Sequence, residues 1–297
     1  MNNKLFLEDL DIKSSEVNPS DKKCAPGLIF ENGSCIPLNV LLEMANAYNL
    51  ENPDDAITLY PSFETLNRAK YKKYLLREFK KKLSSVCTTQ DCWTKQSFVD
   101  KMNAVMKDEL QKKTFRPEGP QGKFDWLNTL NINDVMTQYE NKYKDFKFLG
   151  AVPIDFDDLP KLGIRDLDLN GLVKSGKTKI GIIFNLDESY KSGSHWVACY
   201  SNMKEGQIYY FDSYNTQPPQ QVRKFMRRLA NFCQNDLGIK NVVADHNRIR
   251  HQYGNNACGI FSLNFILRML RGDTFEAICE SKTPDEIINR CRKVYFK

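Results

Sequence analysis

The chain has 297 residues, 43 Lys and Arg against 37 Asp and Glu, a formal net charge of +6, and 41% hydrophobic residues. That is the composition of a soluble globular protein with enough chain for one large domain or two smaller ones. No stretch approaches the ~18 apolar residues of a membrane span, so no membrane partner is expected. The modest positive charge permits nucleic-acid contact without demanding it.

Residues 1–20 are polar and are expected to be poorly ordered. The start, "MNNKLFLEDLDIKSSEVNPSDKK", lacks the apolar centre of a secretory signal, so the chain is expected to be made and kept inside a cell. "CAPGLIFENGSCIP" is a Gly- and Pro-rich turn leading into a helical pattern that begins near Pro37. A second helix is predicted over 62–83, with Leu66, Tyr71, Tyr74, Leu75 and Phe79 on one side. Its polar side carries Arg68, Lys70, Lys72, Lys73, Arg77, Lys80, Lys81 and Lys82, read either as a solvated face or as a weak contact for nucleic acid or an acidic partner. A third helix is predicted over 93–113. "TFRPEGPQGKF" (114–124) then supplies two prolines and two glycines, the best domain boundary in the chain. The expected organisation is a mainly helical domain over 21–115 and a second domain over 116–297.

Beyond the boundary, "FDWLNTLNINDVMTQYENKY" reads as a turn entering a short helix. "KTKIGIIFNL" (177–186), "HWVACYS" (195–201) and "QIYYFDS" (207–213) are strand-like, the last two joined as a hairpin by "NMKEG". Pro218 and Pro219 open an amphipathic helix through about Asp236, stopped by Gly238. "KNVVADH" (240–246) is a further strand, followed by the loop "NRIRHQYGNNA" and an apolar helix that starts at Cys258. Helices followed by a β-meander flanked by helices make an α+β pattern.

Nine cysteines stand at 24, 35, 87, 92, 199, 233, 258, 279 and 291 without a CxxC pair, so no zinc ribbon and no metal site is expected. Cys24/Cys35 and Cys87/Cys92 are each spaced to close a small loop, but in a reducing cytosol free buried thiols are the expectation. Cys258 is different. A helix usually opens on an oxygen-bearing side chain that accepts its free N–H groups, and this one opens on a thiol. Those N–H groups and the helix dipole favour a thiolate, the nucleophilic form. Gly259 next to it permits close approach of substrate or backbone.

A nucleophilic thiol needs a base, usually His. Of three histidines, His246 and His251 lie in or beside a polar loop and are expected to face solvent, whereas His195 begins a strand after "KSGS". Asp212, on the paired strand, is placed to hold its imidazole, with Asn215 in reserve. Gln252, just before Cys258, is placed to donate to an oxyanion.

The order His195, Asp212, Gln252, Cys258, with "HW", "YYFDS" and "Q…CG" in place, resembles the cysteine proteases specific for SUMO and other ubiquitin-like proteins, together with the adenovirus-type proteinases. "DWLNTLNINDVM" resembles the family's "WLND…I", with Thr129 where the family has Asp. "FLGAVPIDF", "IIFNLDESYKSGSHWVACY" and "YFDSYNTQPP" resemble most the polyprotein-maturing branch found in large nucleocytoplasmic DNA viruses. The resemblance implies a mixed β-sheet flanked by helices, with the catalytic cysteine at the N-terminus of a buried helix. It implies Cys258 as nucleophile, His195 as base then acid, Asp212 as its orienter, and Gln252 with the Cys258 N–H as oxyanion hole. Trp196, Trp126, Asn256 and Gly259 would contact substrate, Trp196 walling a channel for Gly-Gly, and no cofactor is implied. The substrates would be viral structural polyproteins cut after Gly-Gly, in the viral factory of the host cytoplasm and in the virion. Other readings are SUMO or ubiquitin-like deconjugation, acetyl transfer by the same residues, and a non-catalytic interaction protein.

Overall fold

The computed structural model describes residues 18–60, 67–122 and 124–297. The expectation for residues 1–17 and the first five residues of the helix expected over 62–83 lie outside the described residues. The chain forms two compact units, one running to Glu118 and including Phe296 and Lys297, the other Gly119–Tyr295.

In the first unit, helix α1 (Leu38–Glu51) starts after the extended Pro37 and α2 (Arg68–Leu83) after Asn67, whose side chain accepts the Lys70 N–H. Their apolar faces meet in one core of Val40, Leu41, Met44, Tyr71, Leu75 and Phe79, with the Tyr48 ring edge-on to Phe79 and Phe98. Lys72, expected on the polar side of α2, is buried instead, its ammonium donating to the Ser34 carbonyl at 3.1 Å. The helix expected over 93–113 is broken into α3 (Gln90–Trp93), a 3-10 turn (Ser97–Lys101) and α4 (Ala104–Lys113). The break follows from Asn103, whose side chain accepts the Val105 and Met106 N–H groups and so starts a new helix in mid-pattern.

The cysteine expectation is also corrected. Cys24–Cys35 and Cys87–Cys92 are bridged, with Cα atoms 5.2 and 5.5 Å apart. The turn closed by the Glu31–Ser34 bridge folds Cys35 back toward Cys24, and the Thr89 cap of α3 turns Cys92 back toward Cys87. Cys199, Cys233, Cys258, Cys279 and Cys291 are free.

The second unit opens with α5 (Thr129–Lys142), started by a reciprocal cap between Asn128 and Asn131. It is built on a five-stranded sheet in the order β1 (Phe146–Pro153), β2 (Lys179–Asn185), β3 (Trp196–Asn202), β4 (Gln207–Phe211), β5 (Val243–His246). The β2–β3–β4 centre is antiparallel and both outer pairs are parallel, so the sheet is mixed. A parallel pair needs a crossover, which α6 (Leu169–Lys174) lies in for β1–β2 and α7 (Gln220–Asn235) for β4–β5.

Period-two alternation divides the sheet's side chains. Ile180, Ile182, Phe184, Val197, Cys199 and Tyr210 share one core with Val222, Phe225 and Leu229 of α7. The opposite face takes α8 (Cys258–Arg271), with Phe265 stacked on Phe211 at 5.0 Å and Ile266 close over Gly181. A helix covered on all sides is apolar nearly all round, as its sequence is. Three short helices follow, α9 (Phe275–Glu280), α10 (Asp285–Arg290) and α11 (Arg292–Tyr295). The architecture is α+β. No helix among the described residues is long and apolar enough to cross a membrane.

Candidate active site

His195 stands just before β3 and Asp212 just after β4. Ala198 pairs with Phe211, so continuing the register puts both side chains on one face, a diagonal step apart. The His195 Nε2 lies 2.6 Å from Asp212 Oδ1. Asp212 is fully buried and also accepts the Tyr214 N–H at 2.9 Å and the Thr216 N–H at 3.0 Å. Burial works against its charge, but the His195 bond and these N–H donors outweigh it and hold the carboxyl below its ordinary range. Tyr214 closes the other side of the imidazole, stacked at 4.6 Å.

Cys258 is the first residue of α8, next to an N-cap, Ala257, that offers no side-chain acceptor. It is 3% exposed and lies close enough to His195 to act on the charge of the imidazole. With Nε2 engaged by Asp212, Nδ1 is the ring nitrogen left for the thiol. Burial pulls the imidazole's pKa down, yet the hydrogen bond to Asp212 and the nearby Cys258 prevail and push it up to about 9. The ring therefore carries its proton at neutral pH.

Gly259 is needed for packing: a Cβ there would sit 3.0 Å from the Leu127 Cβ. The Leu127 carbonyl in turn accepts the Trp196 indole N–H at 2.8 Å. Trp196 is only 6% exposed, whereas neighbouring Trp126 is 47% exposed. Asn256 is half-buried.

Gln252 is fully buried. Its Oε1 accepts from Ser213 Oγ at 2.7 Å, and its Nε2 donates to the Gly254 carbonyl at 2.9 Å and lies 3.3 Å from the Tyr214 hydroxyl. The Ser213 carbonyl accepts both the His251 and Gln252 N–H groups. The amide and Asp212 are thus fixed by one stretch of backbone, 212–214.

Asn215 does not face His195. Its backbone is left-handed (φ 65°) and its Nδ2 donates to the Arg248 carbonyl at 3.1 Å. His251, expected at the surface, is 3% exposed, with Phe211 and Phe261 against its ring, and burial lowers its pKa. The backbone bond to Ser213 draws the loop inward. His246 is half-buried in β5.

Three residues were not legible beforehand. Asn247, 1% exposed, accepts the Asp212 N–H at 2.9 Å and donates to the Asp212 carbonyl at 2.7 Å. The Asp285 Oδ2 accepts the N–H groups of Tyr253, at 2.9 Å, and Gly254. Arg292, 8% exposed, donates to the Asn289 side chain and to the carbonyls of Asp125 and Asn256, all within 2.9 Å. An Asn directly after β5 was the only signal for any of them.

Residues 177–286 match the Ulp1 protease family, C-terminal catalytic domain. A thiol protease of Acanthamoeba polyphaga mimivirus is 34% identical over 273 residues, 90% of either chain. The chain belongs to the Ulp1 family of cysteine proteases. The SUMO-1 cysteine protease of African swine fever virus is 25% identical over 248 residues, 77% of this chain and 89% of that one. The crystal structure of the African swine fever virus protease shares the fold, with a TM-score of 0.62 at 23% identity over 98% of both chains. For an Ulp1-family protease, the paired His195 and Cys258 are a chemically coherent site: a thiol beside a protonated imidazole at a helix start.

Proposed function

We propose that this Ulp1-family protease is an endopeptidase that matures viral structural polyproteins by cutting after Gly-Gly. The observation that carries the reading is His195 held between Asp212 and Cys258, with the thiol at the N-terminus of α8. The Cys258 sulfur, its proton already passed to His195, attacks the scissile carbonyl carbon, and the oxyanion forms against the Gln252 amide and the Cys258 N–H. Protonated His195 gives its proton to the leaving amine as the C–N bond breaks, which leaves an acyl-enzyme. The neutral imidazole then takes a proton from water as its oxygen attacks the thioester, the C–S bond breaks, and the acid product departs, leaving the sulfur anion beside protonated His195. Asp212 holds the ring and its charge throughout.

The Gly-Gly reading is supported by the family resemblance and by the bulk packed around the approach. The Trp196 indole N–H is tied to the Leu127 carbonyl, and the Leu127 side chain lies against Gly259, next to Cys258. A slot of this kind rejects a Cβ at a cost of about 1–3 kcal/mol as overpacking, roughly ten- to a hundredfold in kcat/KM. The test compares Gly-Gly-X with Ala-Ala-X peptides; values within threefold of each other would sink it. A second reading, removal of a ubiquitin-like tag, is favoured by the SUMO-1 protease name of the African swine fever virus relative. Cleavage of SUMO precursors at rates above those of Gly-Gly polyprotein segments would establish it. The first unit, outside the family match, serves in this reading to dock substrate, and the protein acts in the viral factory and the virion.

A further inference from the structure

We propose that a groove in the first unit, beside α2, binds an acidic segment of a protein partner, an extended stretch with two carboxylates separated by one residue. The proposal deepens the reading of the first unit as a docking element. The groove has a volume of about 550 Å³, the size of an ordinary ligand pocket, and Lys73, Leu76, Arg77, Lys80 and Trp93 line it. Lys73, Arg77 and Lys80 are all exposed. At ~1.5 Å rise per residue they stand in a row with about 6 and 10 Å between the first and the others along the helix.

Two other cations of α2 have local partners. Lys82 pairs with Asp55, and Lys72 is buried on the Ser34 carbonyl. In the groove, Lys73 and Lys80 make no ion pair among the described residues, and Arg77 has only Glu78 at 3.6 Å, with its own side chain 74% exposed. The carboxylate lining the groove, Asp21, is 7% exposed and turned inward to the Gln90 N–H at 2.7 Å. Three cations therefore face solvent, with the buried Asp21 near Lys80 and Glu78 beside Arg77 as the anions next to them.

An extended peptide repeats its side chains on one side every ~6.6 Å, close to the Lys73–Arg77 step. Two carboxylates at such positions would meet both cations, with the residue between them turned to the other side. Single-stranded nucleic acid fits the charge but not the surface, because such sites stack bases on exposed rings. Trp93 is 4% exposed and lies against the Phe79 ring at 5.8 Å.

The test is fluorescence anisotropy on the full-length protein. The probes are fluorescein-labelled Ser-Asp-Leu-Asp-Leu-Ser and its Asn-for-Asp counterpart, with a thymidine oligonucleotide as competitor. The acidic peptide should bind at least tenfold more tightly than its amide form, and more weakly as salt rises. Arg77→Glu and Lys80→Glu should each weaken it about tenfold or more. Lys70→Glu, the same charge change on an exposed residue outside the groove, should change it less than twofold. Equal binding of the two peptides, an equal effect of Lys70→Glu, or preferential binding of the oligonucleotide would each overturn the proposal. Circular dichroism checks that the variants fold. Binding is read without cleavage, so failure of the groove and failure of the Gly-Gly reading are separate results.

Discussion

On the proposed mechanism Cys258, His195 and Asp212 act as one unit, so single losses should be severe and non-additive. Cys258→Ala removes the sulfur and little volume, and should abolish turnover of a Gly-Gly peptide with the fold retained; a tenth of wild-type activity would refute its assignment. Asp212→Ala should lower kcat far more than Asn215→Ala, because the Asn215 amide holds Arg248 rather than the imidazole. Gln252→Ala should cost roughly 10²–10³ in kcat with KM little changed, as for loss of one oxyanion donor.

The pH profile follows from the same residues. His195 must be protonated to give its proton to the leaving amine, so kcat/KM should fall on an alkaline limb centred near the value of about 9 to which its partners raise it. Asp212→Asn removes the first of those raising partners and should move the limb to lower pH. The stability linkage has the matching sign. The raised His195 contributes stability that is full below its ordinary value and lost as pH climbs through about 9. The lowered Asp212 contributes stability present above its ordinary value and lost on strong acidification. Urea unfolding across that range, on wild type and Asp212→Asn, reads both.

Residue types and their order exposed these groups to sequence reasoning, because the chemistry demands a thiol, a base and a donor. The supports were hidden: Asn247 and Asp285 act on backbone N–H and C=O groups, which any sequence supplies. Gln252 shows the difference. Its type made it a candidate donor, but its tie through Ser213 to the backbone after Asp212 depends on two distant segments meeting.

Among the elements, β2, β3 and β4 carry dense, near-continuous apolar runs buried on both faces and were legible. β1 was not, since Gly150 (φ 115°) and a register shift between Phe148 and Ala151 interrupt its pattern. The short C-terminal helices α9 to α11 have no periodicity to read, yet they brace the active-site loop. Asp285, opening α10, receives the N–H groups of Tyr253 and Gly254, and the Gly254 carbonyl holds the Gln252 amide. Arg292, opening α11, ties Asp125 to Asn256. Arg292→Lys should therefore lower kcat/KM on a Gly-Gly peptide about tenfold or more at unchanged fold, since one ammonium cannot span the acceptors a guanidinium fork reaches. Wild-type activity in this variant would show that the bracing is not needed. In the first unit, the two disulfides close short loops, 11 and 5 residues in separation. Loop-closure entropy assigns them about 3 and about 2 kcal/mol. Reductant should accordingly destabilise the first unit, measured by hydrogen exchange in its core, while protection in the β2–β4 strands stays unchanged.

At the scale of the whole molecule, the proposed reading separates chemistry from recognition along the chain. His195, Asp212, Gln252 and Cys258 all belong to Gly119–Tyr295, as do all the groups that brace them and the family-matched residues 177–286. The first unit has a core of its own and supplies none of these groups. What it adds is then a matter of which proteins reach the site, and chain length of the substrate is the variable that exposes it. A fragment of residues 119–295 should keep most of its kcat/KM on a short Gly-Gly peptide, because that substrate spans only the slot and the thiol. On a polyprotein the same fragment should lose about tenfold or more relative to the full chain, about 1.4 kcal/mol of docking energy. Measuring both substrates on both proteins gives a ratio free of differences in active fraction. If the short peptide and the polyprotein lose activity equally, the first unit completes the catalytic unit rather than delivering its substrate.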